Sequence, residues 1–280
     1  MTEFVESTKA IIQVNKDVAD HLTDASVPLD SINSIIWSHH HFDHTGDPSL
    51  FPKSTSLIVG PTFKSNSQSY PGYPLNPASV VCQDAFEGRE LIELDFNTGL
   101  EIGGFKAVDF FDDGSFYLLQ AQGHTHDHMC ALARTSENKF IFFGGDAVHH
   151  YGHLRPNTHT PLPDSIAPSP LKLHTVCPGS LFEPIHPAVA RGEDYRTTPF
   201  YQLSPLATVS LDDANNTLNK MQVFDANPDV LVIIAHDIPV QNLVPSFPES
   251  LNGWETKEYK ELNNWRFLAE FEKAIEMAGQ

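Results

Sequence analysis

The sequence predicts a layered α/β sandwich, and three features carry that prediction. Short apolar runs, punctuated by Gly, Asp and Asn, follow one another through the middle of the chain. Helix-like spacing flanks them on both sides, and polar clusters stand where the apolar runs stop. Taken in order, residues 5–25 set Val5, Ile11, Ile12, Val18 and Leu22 at the buried positions of an expected helix. Residues 32–37 read as a short buried strand running into Ser38 and His39, and 56–59 as a second, stopped by Gly60-Pro61. Residues 61–79 are too long for a plain connector, so Phe63, Tyr70 and Tyr73 either line a pocket wall or pack the loop on itself. Strands are expected over 91–95, 101–102, 105–111, 115–120, 129–134 and 139–143. After an irregular, Pro-rich stretch (147–190) come a helix over 206–224, an apolar strand over 229–235 and a closing amphipathic helix over 255–277. One domain spanning 1–280 is expected.

Composition narrows the function. The 280 residues carry 17 Lys+Arg against 36 Asp+Glu, a formal charge of −19. That balance disfavours nucleic acid or an anionic membrane as a partner, since both ask for a cationic face. No apolar run approaches the roughly 18 residues of a membrane span. The opening MTEFVESTKAII, acidic and without a long apolar stretch, does not read as a signal peptide. Cys82, Cys130 and Cys177 are too few and too scattered for a disulfide framework; they read as buried small apolar groups in a reducing, cytoplasmic setting. A small-molecule substrate is the expected partner.

The informative count is 15 histidines, and they are grouped: His39, His40, His41 and His44; His124, His126 and His128; His149, His150 and His153. Neutral imidazole is a common ligand for transition metals. In Ser38-His39-His40-His41-Phe42-Asp43-His44, residues two apart can present His39 and His41 to one side, while Asp43 and His44 face a second point on the turn. Two neighbouring ions fit such a run. Further ligands must come from elsewhere, and His124, Asp146 and His236 stand as candidates at strand ends. By the same alternation His40 should point away in a structural role. His126, His128 and Asp47 read as supports that orient ligands.

His39-x-His41-x-Asp43-His44, Gly123-His124-Thr125, Gly145-Asp146 and the late His236 resemble the metallo-β-lactamase superfamily in identity, order and spacing. The resemblance covers roughly residues 5 to 240. It implies a four-layer αβ/βα sandwich with two divalent ions, one held by His39, His41 and His124, the other by Asp43, His44 and His236, with Asp146 bridging. Zinc is preferred for a His/Asp set without sulfur, iron or manganese being alternatives. Lactone-cleaving relatives often carry a Tyr three residues after the bridging Asp. Here that position is His149, with Tyr151 close by, so either is a candidate donor to an oxyanion or leaving group, His149 first. Arg155 reads as solvated or as a partner for a substrate carboxylate.

The resemblance implies a dinuclear metal hydrolase, using a metal-bridging hydroxide, with Asp43 among its catalytic groups. The substrate bond is expected to be a lactone, lactam or related ester, with a superfamily thioesterase as the alternative. Only 38 residues precede His39, and no Asp-x-Gly turn occurs among them, so the first sheet is expected to be incomplete. An uncovered edge would invite a homodimer, and a catalytically silent, shortened relative is the second alternative.

Overall fold

The computed structural model describes residues 14–172 and 175–279. They fall into two compact units: one holds the described residues up to Phe96 together with Thr125–Met129, the other Asn97–His124 and the described residues from Cys130 onward.

The first unit begins with helix α1 (Val18–Asp24), whose capping box is closed by Asp17 and Asp20. Val5, Ile11 and Ile12 lie outside the described residues, and Val18 is exposed rather than buried; Ala19 takes the buried position. Strands β1 (Ser34–Ile36), β2 (Ser56–Val59) and β3 (Leu91–Glu93) form a parallel sheet, with Ile35 opposite Leu57 and Leu57 opposite Leu91. β-Branched and Leu residues suit strands covered on both faces. Trp37, Leu57, Val59, Phe63, Val81, Ala85 and Phe86 make the core of this unit. Of the three aromatic residues singled out in 61–79, Phe63 is fully buried against Trp37, whereas Tyr70 and Tyr73 are exposed. The buried Arg89 guanidinium donates to the carbonyls of Pro48, Phe51, Pro52 and Thr55, fixing the turn before β2.

The second unit is built on a six-stranded sheet of β4 (Glu101–Ile102), β5 (Phe105–Asp109), β6 (Phe116–Gln120), β7 (Met129–Ser136), β8 (Lys139–Phe143) and β11 (Val230–Ile233), in the order β11-β8-β7-β6-β5-β4. A separate ribbon pairs β9 (Ser165–Ile166) with β10 (Cys177–Pro178). Helix α2 (Phe42–Thr45) belongs to the first unit; α3 (Tyr151–Leu154) and α4 (Leu211–Ala226) belong to the second. The expected helix over 206–224 starts later: Leu206 is almost fully exposed, and Ser210 caps α4 by accepting from the Asp213 amide. Leu218, Met221 and Phe224 of α4 join Phe105, Leu119, Cys130 and Phe142 of the sheet in one core.

The closing amphipathic helix is a correction. Residues 254–277 are four short pieces: Trp254–Lys257, Tyr259–Asn263, Arg266–Phe271 and Glu272–Met277. Glu258 has φ 55°, a left-handed conformation no continuous helix accommodates. The breaks let Trp254 pack with Ile141 and Leu231, and let Lys260 turn inward to donate to the carbonyls of Asp225 and Val230 at 2.6 and 2.7 Å. Cys82 is exposed rather than buried, while Cys130 and Cys177 are buried as expected. Among the described residues no helix is long and apolar enough to cross a membrane.

Candidate metal centre

In the first unit the ligand-bearing loop leaves the carboxyl end of β1 and is held at several points. The Trp37 amide donates to Ile58, its indole Nε1 donates to Thr45 O at 2.8 Å, and the Met129 amide donates to Ser38 O at 2.8 Å. Inside that frame the His39 ring centre lies 4.6 Å from that of His41, 4.3 Å from that of His44 and 5.1 Å from that of His128. His41 is extended and precedes α2, which carries Asp43 and His44; Asp43 Oδ2 and His44 Nε2 are 3.5 Å apart. His39 is fully buried, with Nδ1 at 3.1 Å from Ser38 Oγ. His40 turns the other way, as alternation requires, and its Nδ1 meets Asp127 Oδ1 at 2.7 Å with both side chains buried. Burial alone would raise the Asp127 pKa; the His40 bond and charge overturn this and hold it below the usual carboxylate value.

In the second unit two adjacent strands set the geometry. β8 and β11 are parallel, so the segments leaving their carboxyl ends run side by side, joined by Gly144 N to Ile233 O at 2.7 Å and Ala235 N to Gly145 O at 3.0 Å. This brings His236 Nε2 to 3.3 Å from Asp146 Oδ2. His236 has φ 62°, rare for a residue with a Cβ and costly by about 1–3 kcal/mol. His124 Nε2 approaches the same oxygen at 3.6 Å and His149 Nε2 at 3.4 Å. His124 Nδ1 donates to Ala207 O at 2.9 Å, which fixes the ring and leaves Nε2 as the lone-pair nitrogen of the neutral imidazole. Gly123, at φ 134°, makes this placement possible: a Cβ there would stand 2.3 Å from the Ala214 amide nitrogen.

A charge-assisted hydrogen bond is about 2.7–2.9 Å long, and His40 with Asp127 meets that length. The three contacts to Asp146 Oδ2, at 3.3–3.6 Å, are longer. Two N or O ligands on one tetrahedral ion, each bound at ~2.1 Å, stand roughly 3.4 Å apart. The spacing in the second unit is close to that value, the His236–Asp146 contact at 3.3 Å being also a hydrogen bond, and the imidazole/carboxylate donors suit zinc, iron or manganese.

Several expected roles change. Tyr151 is 2 % exposed, its hydroxyl donates to the carbonyl of Val232, and burial pushes that hydroxyl's pKa far up. It is part of the core, and no acid or donor at the site. Arg155 is neither solvated nor directed at a substrate: it is buried against Asp225, with Nε to Oδ2 at 2.6 Å. Asp47 caps the following turn through Ser49, whose amide and hydroxyl donate to it, rather than holding a ligand histidine. His126 is exposed. Asp127 was missed by sequence reasoning; an acid set between two histidines in His126-Asp127-His128 was the signal for it.

No protein-family model matches the chain. It is 43% identical over 247 residues to "Metallo-hydrolase mfmC" of Annulohypoxylon moriforme, a match covering 87% of this chain and 63% of that protein. It is 52% identical over 181 residues to "Gamma-lactamase MBL2" of Gibberella moniliformis, covering 63% of this chain and 75% of that one. The chain thus spans less than two thirds of the length of the first relative. Among solved structures, an N-acyl homoserine lactone hydrolase with N-hexanoyl-L-homoserine at its catalytic metal centre aligns with a TM-score of 0.50 and 16% identity, covering 83% of this chain and 66% of that one.

Proposed function

Because this chain belongs to the metallo-β-lactamase superfamily, we propose that it is a dinuclear metal hydrolase opening a lactam, lactone or related ester-like bond in a small molecule. Its fold is that of the superfamily. As the resemblance implies, His39, His41 and His124 would hold one ion and Asp43, His44 and His236 the other, with Asp146 shared between them. The observation that carries the reading is the spacing around Asp146: imidazole nitrogens at 3.3–3.6 Å from one buried carboxylate oxygen. Zinc is the preferred ion for donors without sulfur.

Two such ions supply a water of near-neutral pKa and a Lewis acid for the substrate carbonyl. The chain's own part is to hold the donors still. Trp37 and Met129 clamp the His39–His44 loop, the Ala207 carbonyl sets the His124 tautomer, and the pairing of Gly145 with Ala235 places Asp146 beside His236. Asp43 is about one third exposed, which leaves it open to solvent. Lactams rank first among the substrates because a relative 52% identical over 181 residues is named a gamma-lactamase.

The test is metal analysis of the untagged full chain, followed by a panel of γ-lactams, γ-lactones and thioesters. About two equivalents of metal and turnover on a lactam or lactone are expected. Asp43→Ala should lower turnover by about a hundredfold or more with an unchanged circular dichroism spectrum. A wild-type chain that binds no divalent metal, or a variant with full turnover, overturns the reading.

A further inference from the structure

We propose that His149 is itself a metal ligand, bound through Nε2 to the ion that Asp146 Oδ2 and His236 serve. This rests on the dinuclear reading above and changes the role expected for His149 from proton donor to ligand.

His149 approaches the same carboxylate oxygen as the other two imidazoles, at a comparable distance. Its Nε2 is 3.4 Å from Asp146 Oδ2, between the 3.3 Å of His236 and the 3.6 Å of His124. As a hydrogen bond to a carboxylate that length is poor; as the edge of a coordination polyhedron it is ordinary. The His149 ring lies nearly parallel to that of His236, centres 5.8 Å apart at 23°, and edge-on to that of His124 at 4.9 Å. Three imidazoles thus surround one carboxylate oxygen, each offering Nε2.

The backbone holds His149 there. The turn after β8 is closed by the Ala147 amide donating to Gly144 O at 3.1 Å, and Ala147 and Val148 are buried. On the other side, His150 Nδ1 accepts from the Gly152 amide at 2.8 Å, its Nε2 lies 3.1 Å from Glu270, and Tyr151 is anchored in the core. With Val148 and Tyr151 both turned inward, His149 projects beside Asp146 on a fixed frame, its side chain only about one third exposed.

The chemical consequence is a nitrogen-rich ion. On the ion that Asp146 and His236 serve, His149 would add a second imidazole from the second unit. A sixth imidazole ligand to the pair of ions favours zinc and other imidazole-seeking metals over oxygen-seeking ones. A ligating Nε2 carries no proton to deliver to a leaving group.

The experiment loads the full-length wild type and His149→Phe, which keeps an aromatic ring without a donor nitrogen, with zinc and separately with cobalt(II). Equivalents bound, affinity by competition with a chromophoric chelator, and the visible cobalt spectrum are read. The wild type should bind about two equivalents. His149→Phe should keep one tight equivalent, hold the other at least tenfold more weakly, and show an altered cobalt spectrum. His149→Gly should behave likewise and recover the wild-type spectrum when imidazole is added. Unchanged affinity and spectrum in His149→Phe, or no recovery with imidazole, overturns the ligand role while leaving the dinuclear reading in place. A wild type that binds no metal overturns that reading itself. Should His149→Phe fail to fold, His149→Gln answers the same question.

Discussion

His40 Nδ1 and Asp127 Oδ1 sit 2.7 Å apart with both side chains buried, and their bond ties the loop after β1 to the segment that leads into β7. The bond acts through backbone position: His39 and His41 flank His40, so moving it moves both. Asp127→Ala leaves a buried imidazole unpaired, which should cost about 2–4 kcal/mol. Urea denaturation should show the loss. Metal affinity should fall as well, since the ligands lose their support, whereas equal affinity in the folded variant would separate the pair from the site.

Gly123 offers a steric test of the second unit. At φ 134°, with the Ala214 amide nitrogen 2.3 Å and the Ala214 Cα 2.4 Å from any added Cβ, neither the local backbone nor the start of α4 accommodates a methyl group. The Gly123 carbonyl also accepts from the Val209 and Ser210 amides. Gly123→Ala should therefore cost about 3 kcal/mol, with backbone strain and overpacking both contributing. Thermal denaturation measures it, and a fall in Tm of less than one degree would contradict this account.

How much of this was legible beforehand depends on how local the information was. His39, His41, Asp43 and His44 were readable because four donors within six residues follow an apolar strand. Asp146 and His236 were readable because each stands just past a strand end, and parallel pairing of β8 with β11 brings those ends together. Tyr151 misled because a loop sequence does not state which way a side chain turns, and here the core took it. The break at Glu258 was hidden for a similar reason: amphipathic spacing over 255–277 is compatible with a helix until Lys260 is drawn in by the Asp225 and Val230 carbonyls. Arg155 and Asp225 are 70 residues apart, and no local pattern pairs them.

Acid should destabilise the protein through His186. This imidazole is buried, 4.0 Å from the Phe200 ring, and accepts the Ala188 amide; burial, with Arg191 adding to it, lowers its pKa from 6.5 to about 4. Between those values the unfolded chain binds a proton that the folded one refuses. The contribution is complete above pH 6.5 and is lost as the pH falls to about 4, up to about 3 kcal/mol. Urea midpoints at pH 7.5 and pH 4.5 measure it, and His186→Asn, which keeps a cap for Ala188, should flatten the dependence.

The Arg155–Asp225 pair predicts strong non-additivity. Both side chains are buried, and Lys260 packs its ammonium against the Asp225 carbonyl. Asp225→Leu alone leaves the guanidinium without its counter-ion and should cost about 3–5 kcal/mol, and Arg155→Met alone a similar amount. The double variant removes both charges and should lose less than the sum, by a coupling of at least about 1 kcal/mol. Additive losses would show the two charges to be independent.

Removing the metal should cost stability as well as activity. Without a cation, the lone pair of His124 Nε2, fixed by the Ala207 carbonyl, faces the Asp146 oxygen at 3.6 Å, and two more imidazoles crowd the same atom. The left-handed backbone of His236 adds its own strain. An ion relieves the electrostatic part and binds the folded chain in preference to the unfolded one, so at a hundred times its Kd it should stabilise by about 2.7 kcal/mol. Scanning calorimetry of zinc-loaded and chelator-treated protein should show a lower Tm after chelation, restored by adding zinc back. His236→Gly, which relieves the backbone strain and removes a ligand, should narrow that gap: its chelated form should melt no lower than chelated wild type, and zinc should raise it less. A gap as wide as in the wild type would mean that His236 takes no part in holding the ion.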